Sequence, residues 1–201
     1  MNTENTRIIL ASQSPRRKEL LSRLFDDFEI IPSGAEEKPE STRPSGIVKE
    51  LSEMKARDVY ENVSKTADPG KDLLVIGADT IVSLYGDILG KPKDEDDAFR
   101  MIKSLSGKDH EVFTGVTLIY QKAGEEAKKV TFFEQTTVSF YKLTDKEILS
   151  YVRTGEPMDK AGAYAIQGGA GIFVERITGD WQNVVGLPVP RLYQELKALG
   201  L

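Results

Sequence analysis

The feature that most restricts the fold is the order in which strand-like and helix-like segments follow one another along the 201 residues. Residues 7–11 form a short apolar run of strand character. Residues 15–24 then carry Leu20, Leu21 and Leu24 as an apolar helical stripe, with Ser14 at the N-cap and Pro15 at the first helical position. A strand over 28–31 leads into an acidic, proline-containing loop at 33–44, and Ile47, Val48, Leu51, Met54 and Val59 recur at helical spacing over 45–63. Asp68-Pro69-Gly70 marks a turn. Residues 73–86 are β-rich but interrupted at Gly77-Ala78-Asp79-Thr80, a pattern that marks a bulge or a strand end. Asp94 caps a helix that runs to residue 105.

After that the pattern changes. Two long β-rich stretches, 111–121 and 129–141, follow each other across a polar segment centred on Gly124, as an antiparallel pair does. Thr144-Asp145-Lys146-Glu147 reads as a capping box opening a helix that Gly155 ends. A strand over 172–177 and a helix over 189–199 close the chain. Alternation first and antiparallel strands later predict a three-layer α/β protein with a mixed sheet and flanking helices. The length fits a single domain over residues 1–201.

Composition narrows the chemistry. The chain has no cysteine and one histidine, His110, which removes thiolate nucleophiles, thiolate metal sites and multi-histidine sites. Any bound metal would need oxygen ligands and so be a hard cation such as Mg²⁺ or Mn²⁺. A net charge of −5 gives no global field for nucleic acid, so anions must be bound by locally placed cations. The first apolar run is too short for a signal peptide or a membrane span, which predicts a cytoplasmic protein without a membrane partner.

Several local patterns can carry chemistry. In Ser12-Gln13-Ser14-Pro15-Arg16-Arg17 a strand-to-helix turn leaves backbone N–H groups for an anion. Two arginines sit there against the helix macrodipole, at a cost of about 0.3 to 1 kcal/mol. A phosphate would relieve that conflict, although a plain cap with solvated arginines fits the same residues. Asp79, ending an apolar β run, suits either an active-site carboxylate or a structural turn. Glu36 and Glu37 offer further oxygen ligands or a solvated acidic loop. Lys91 is presented from the fixed turn Gly90-Lys91-Pro92, whereas Lys55, read alone, is a surface charge on a helix. Residues 155–171 match neither G-x-G-x-x-G after a strand nor G-x-x-x-x-G-K-[ST]. Gln167, expected to be buried there, has an amide suited to reading a nucleobase edge or to holding the loop. His110 reads as structural.

Taken in order, S-x-S-P-R-R-x-E-L-L, G-A-D-T-I-V, G-K-P, H-x-V-x-T-G-V, G-E-P-x-D-K-A-G-A-Y-A-I-Q-G and N-V-V-G-L-P closely resemble the Maf family of nucleoside triphosphate pyrophosphatases. The resemblance runs from Leu10 to about Pro188. It implies a fold similar to the inosine triphosphate pyrophosphatases, with an elongated mixed sheet and a central cleft between two lobes. It also implies dependence on a divalent cation, and often a homodimer. Arg16-Arg17, Asp79-Thr80 and Gln167 resemble the branch acting on dTTP and UTP rather than the branch acting on 7-methyl-GTP. By resemblance Asp79 is the proton acceptor, and Arg16, Thr80 and Gln167 set base specificity. Ser12, Arg17, Lys55 and Lys91 contact phosphate or substrate, and Glu37 with Asp79 holds the metal. The alternatives are a pyrophosphatase for modified purines or 7-methyl-GTP, and a nucleotide-binding regulator of cell division or septum formation.

Overall fold

The computed structural model of the chain describes residue 3 and residues 5–201. Its first strand, β1 (Thr6–Leu10), is followed by α1 (Pro15–Leu21), β2 (Glu29–Ile30), α2 (Pro44–Val63), β3 (Asp72–Leu84), β4 (Asp87–Leu89) and α3 (Glu95–Leu105). Then come β5 (Asp109–Gln121), β6 (Lys128–Phe140), α4 (Asp145–Val152), β7 (Val174–Thr178), α5 (Trp181–Val185) and α6 (Val189–Leu199). The strands form one seven-stranded sheet in the order β2-β1-β3-β5-β6-β7, with β4 paired to β3. β1 runs parallel to β2 and β3, whereas β4 and β7 are antiparallel to their neighbours. The sheet is therefore mixed and flanked by helices, an α/β architecture.

Local signals place the helix starts. Ser14 caps α1 by accepting from the Arg17 backbone N–H, and Asp94 caps α3 through Asp97. Thr144 and Glu147 form a reciprocal capping box on α4. α1 ends at Leu21 rather than Leu24, β2 is only two residues long, and β7 begins two residues later than expected.

Of the bulge or strand end expected at 77–80, the strand end does not occur: β3 is continuous through Gly77 and Asp79. Gly77 is there for close approach. A Cβ on it would lie 2.4 Å from the Ser52 carbonyl oxygen and 2.7 Å from the Ala56 nitrogen, so the backbone of α2 rests directly on the strand. Gly115 on β5 does the same for the Val48 carbonyl, at 2.1 Å.

The chain groups into two compact units, and β3, β5 and β6 each pass from one into the other. The first holds residues up to Asp79, Thr114–Glu134 and Gly186–Leu201. Its core packs Val59, Ala56 and Val63 of α2 against Ile9, Leu73, Val75 and Ile119. Each such branched side chain contributes on the order of 1.5–3 kcal/mol when fully buried. A hydroxyl chain, Ser52 to Thr117 at 2.9 Å in the interior and Thr117 to the partly buried Thr131 at 3.0 Å, ties α2 to β5 and β6.

The second unit, Thr80–Phe113 and Gln135–Val185, is built around rings. Phe140 meets His110, Tyr164 and Phe173 edge-on, with centroids 4.9, 5.0 and 6.2 Å apart. The segment between α4 and β7 carries three short 3-10 turns that residue patterns did not announce. Asn183 is fully buried and donates to the Val112 carbonyl at 3.0 Å and Thr136 Oγ1 at 2.9 Å, pinning α5 to β5 and β6. Among the described residues no helix is long and apolar enough to cross a membrane.

Candidate active site

In the first unit the chain leaves β1 into the turn that holds Ser12, which is 8% exposed. Its hydroxyl accepts from the Ser14 backbone N–H at 3.2 Å and from Arg17 Nη1 at 3.2 Å. Arg17 Nε donates to the Gly186 carbonyl at 2.9 Å. No acidic residue occupies the first turn of α1. The conflict between arginine and macrodipole is thus partly relieved inside the protein, by two oxygens set outside the helix. Burial lowers the Arg17 pKa and the neighbouring Arg16 lowers it further, while the carboxylates of Asp79 and Glu37 raise it. Arginine stays cationic in such surroundings, so these four charges act on one another.

The second part of the cluster comes from α2 and β3. Lys55 Nζ donates to Asp79 Oδ1 at 2.6 Å and pairs with Glu37 Oε1 at 2.9 Å. The Lys55 and Asp79 side chains are 16% and 13% exposed, against 53% for Glu37. The contact at Gly77 explains the placement. α2 is seated on β3 between Ser52 and Ala56, so Lys55 projects over the strand two residues beyond that seat, at Asp79. Taken from sequence alone Lys55 resembles surface decoration; the tertiary seat turns it into the partner of a half-buried carboxylate.

Glu37 reaches Lys55 because its loop is tied down at both ends by α2. Asp58 accepts from Ser33 Oγ at 2.7 Å and the Gly34 N–H at 2.8 Å. Glu50 accepts from the N–H groups of Glu40 and Ser41 at 2.7 and 3.1 Å. Glu36 faces elsewhere, paired with Lys38 at 2.6 Å in an exposed position. The structure therefore gathers Ser12, Arg16, Arg17, Glu37, Lys55 and Asp79 in the first unit. Gly186, from the N-V-V-G-L-P motif, joins them as a carbonyl acceptor that sequence reasoning had not singled out.

The remaining expected site residues lie in the second unit. Thr80 follows Asp79 on β3 and is partly buried. Lys91 is exposed on the turn after β4, and the Gly90 carbonyl before it accepts from the Gly162 N–H at 3.0 Å. Gln167 is exposed, not buried as expected: the loop's buried side chains are its neighbours Ala165 and Ile166, which leaves the amide facing solvent.

A divalent cation can be tested against this donor set. Glu37 and Asp79 converge on a single positive charge, the Lys55 ammonium, and both offer the hard oxygens that Mg²⁺ or Mn²⁺ takes. Among the described residues no group of three or more acidic or histidine side chains could hold a metal by itself. One or two carboxylates completed by substrate phosphates is the usual Mg²⁺ arrangement, and the residues fit that pattern rather than an all-protein cage.

Comparison with known proteins agrees with these motifs. The sequence model of the family described as Maf-like protein matches residues 7–199. A protein of Agathobacter rectalis named dTTP/UTP pyrophosphatase is 51% identical over 98% of this chain and 98% of its own. One of the same name from Thermococcus gammatolerans is 50% identical over 96% of each. Among solved structures, a HAM1 protein from Coxiella burnetii aligns over 96% of this chain and 99% of its own at 12% identity, with a TM-score of 0.48.

Proposed function

This chain belongs to the Maf-like protein family, and on that footing we propose that it is a metal-dependent nucleoside triphosphate pyrophosphatase acting on dTTP and UTP. The observation that carries the reading is the convergence of Glu37 and Asp79 on Lys55 beside Arg17, in a chain about half identical over nearly its full length to proteins of that name.

Water attacks the α-phosphorus, and the bond from that phosphorus to the oxygen bridging the α and β phosphates breaks. The products are nucleoside monophosphate and pyrophosphate. Asp79 orients the water and takes its proton, a role worth about 10²- to 10⁴-fold in rate. Glu37 and Asp79 would hold the divalent cation, Mg²⁺ or Mn²⁺, which when bound neutralises triphosphate charge and polarises the reacting phosphorus. Arg17, fixed by Ser12 and Gly186, and Lys55, released from its carboxylates, take phosphate oxygens and stabilise charge developing on them. Lys91, on its turn, supplies a further cation to the phosphates. Arg16, Thr80 and Gln167 choose the base.

The test is product analysis over a panel of standard and modified triphosphates with Mg²⁺ or Mn²⁺. The expected outcome is monophosphate and pyrophosphate from dTTP and UTP in preference to purine nucleotides. Release of orthophosphate would sink the reaction assignment, preference for 7-methyl-GTP the substrate assignment, and tight binding without turnover under either metal would make the protein a nucleotide-binding regulator.

A further inference from the structure

The exposed Gln167 sits in a loop whose two ends are held by side chains that the proposed chemistry does not use. On one side Tyr151, 5% exposed near the end of α4, accepts the Ala165 N–H on its hydroxyl at 3.1 Å. On the other, Glu156 Oε2 accepts the Gly169 N–H at 3.0 Å. The loop backbone lies flat on this carboxylate, since a Cβ at Gly168 would come 2.0 Å from Glu156 Oε1. Burial first, and then the nearby Glu156 carboxylate, raise the Tyr151 hydroxyl's pKa, so the hydroxyl stays protonated beside its loop.

The anchors are themselves fixed. Gly155, at a φ of 74° that favours glycine, starts the turn that carries Glu156, whose N–H donates to Thr154 Oγ1 at 3.2 Å. Beneath them the Tyr151 ring packs edge-on against Phe173, with centroids 5.4 Å apart. Within the loop the Gly168 N–H returns to the Ala165 carbonyl at 3.1 Å, closing a tight turn around Gln167. A backbone clamped two residues to either side of Gln167 fixes the point from which its exposed amide is presented, and recognition of a base edge starts from such a fixed point.

We propose that Glu156 and Tyr151 are positioning residues that hold the Gln167 loop in the shape that discriminates among bases. This rests on the reading that Gln167 helps choose the base. The two side chains touch neither substrate nor metal; they act through the backbone of residues 165–169.

Two measurements on the full chain test it together. In Glu156→Ala, amide hydrogen exchange of the peptide covering 165–169 should quicken by about tenfold. The preference for dTTP over CTP, as a ratio of kcat/KM, should fall by about tenfold, chiefly through KM, because the acceptor for Gly169 is gone. Glu156→Gln keeps an oxygen acceptor and should recover the preference to within about threefold. Added to Gln167→Ala, Glu156→Ala should cost nothing further, the non-additivity expected of residues acting as one unit. Should Glu156→Ala fold poorly, the isosteric Tyr151→Phe, which removes the acceptor for Ala165, must show the same two changes. Unchanged exchange, or losses that simply add to those of Gln167→Ala, would overturn the proposal. A wild-type protein that does not cleave dTTP overturns the proposed function instead, and the exchange arm still decides the clamp.

Discussion

The two units use polar side chains in opposite ways. In the first, Lys55, Asp79, Glu37 and Arg17 are held next to one another and left partly open, Glu37 being more than half exposed. In the second, His110, the one histidine in the chain, is 1% exposed, with its Nε2 hydrogen-bonded to Tyr164 Oη at 2.9 Å and aromatic rings against its edges. Charge kept beside charge near solvent can be handed to a ligand. A titratable ring sealed among aromatics has been taken out of use. Perturbation alone thus does not identify the working site: burial moves the pKa of His110 down to about 4, yet its setting is that of core packing.

The sharpest way to break this contrast is at Asp79. If the cluster is poised for reaction, Asp79→Asn should lower kcat on dTTP by about 10³-fold, within the range for loss of a general base. The melting temperature should change little, because Lys55 keeps Glu37 as a partner. A variant that unfolds while its folded fraction stays active would place the cluster with His110, as a structural device.

The next effect is thermodynamic and belongs to the second unit. His110 is neutral in the folded protein down to about pH 4, where burial outweighs the opposing carboxylate of Asp109, but an unfolded chain protonates it near its ordinary value of 6.5. Between those values the unfolded state binds more protons. Stability is therefore fully present above about pH 6.5 and is lost as pH falls toward 4, by about 3 kcal/mol in all and about 2 kcal/mol by pH 5. With no second histidine in the chain, denaturant unfolding between pH 7 and 5 should report this group. His110→Gln should flatten the profile, and an unchanged slope would show that the ring is not sealed.

What was readable in the sequence follows the range of the forces involved. The caps at Ser14, Asp94 and Thr144 depend on partners three residues away and stand where the pattern puts them. Gly77 carries no local sign of its role, because the reason for it lies in α2, a segment distant in sequence, whose backbone it admits. The same contact hid Lys55, whose helical pattern shows only a charge and cannot show that Asp79 and Glu37 wait beneath it. Gln167 was placed on the wrong side of the surface because a glycine-rich run with no periodicity gives no inside or outside. The clamp by Tyr151 and Glu156 had no local signal beyond the G-E-P motif itself.

The smallest effect asks whether the sealed region is only structural. Tyr164→Phe keeps the ring and its edge contact with Phe140 but removes the hydroxyl bonded to His110 Nε2. The other ring nitrogen, Nδ1, has no well-aligned partner among the described residues, so the variant leaves the buried imidazole with neither nitrogen well bonded to them. The loss should be about 1–2 kcal/mol, the cost of an unmade buried hydrogen bond. Denaturant unfolding at pH 7.5, where His110 is neutral in both states, isolates that cost from titration. Activity on dTTP should stay within about twofold, since no reacting group is involved. A kcat reduced tenfold at unchanged stability would mean that the ring cluster transmits to the chemistry, and the division between sealed and poised side chains would not survive it.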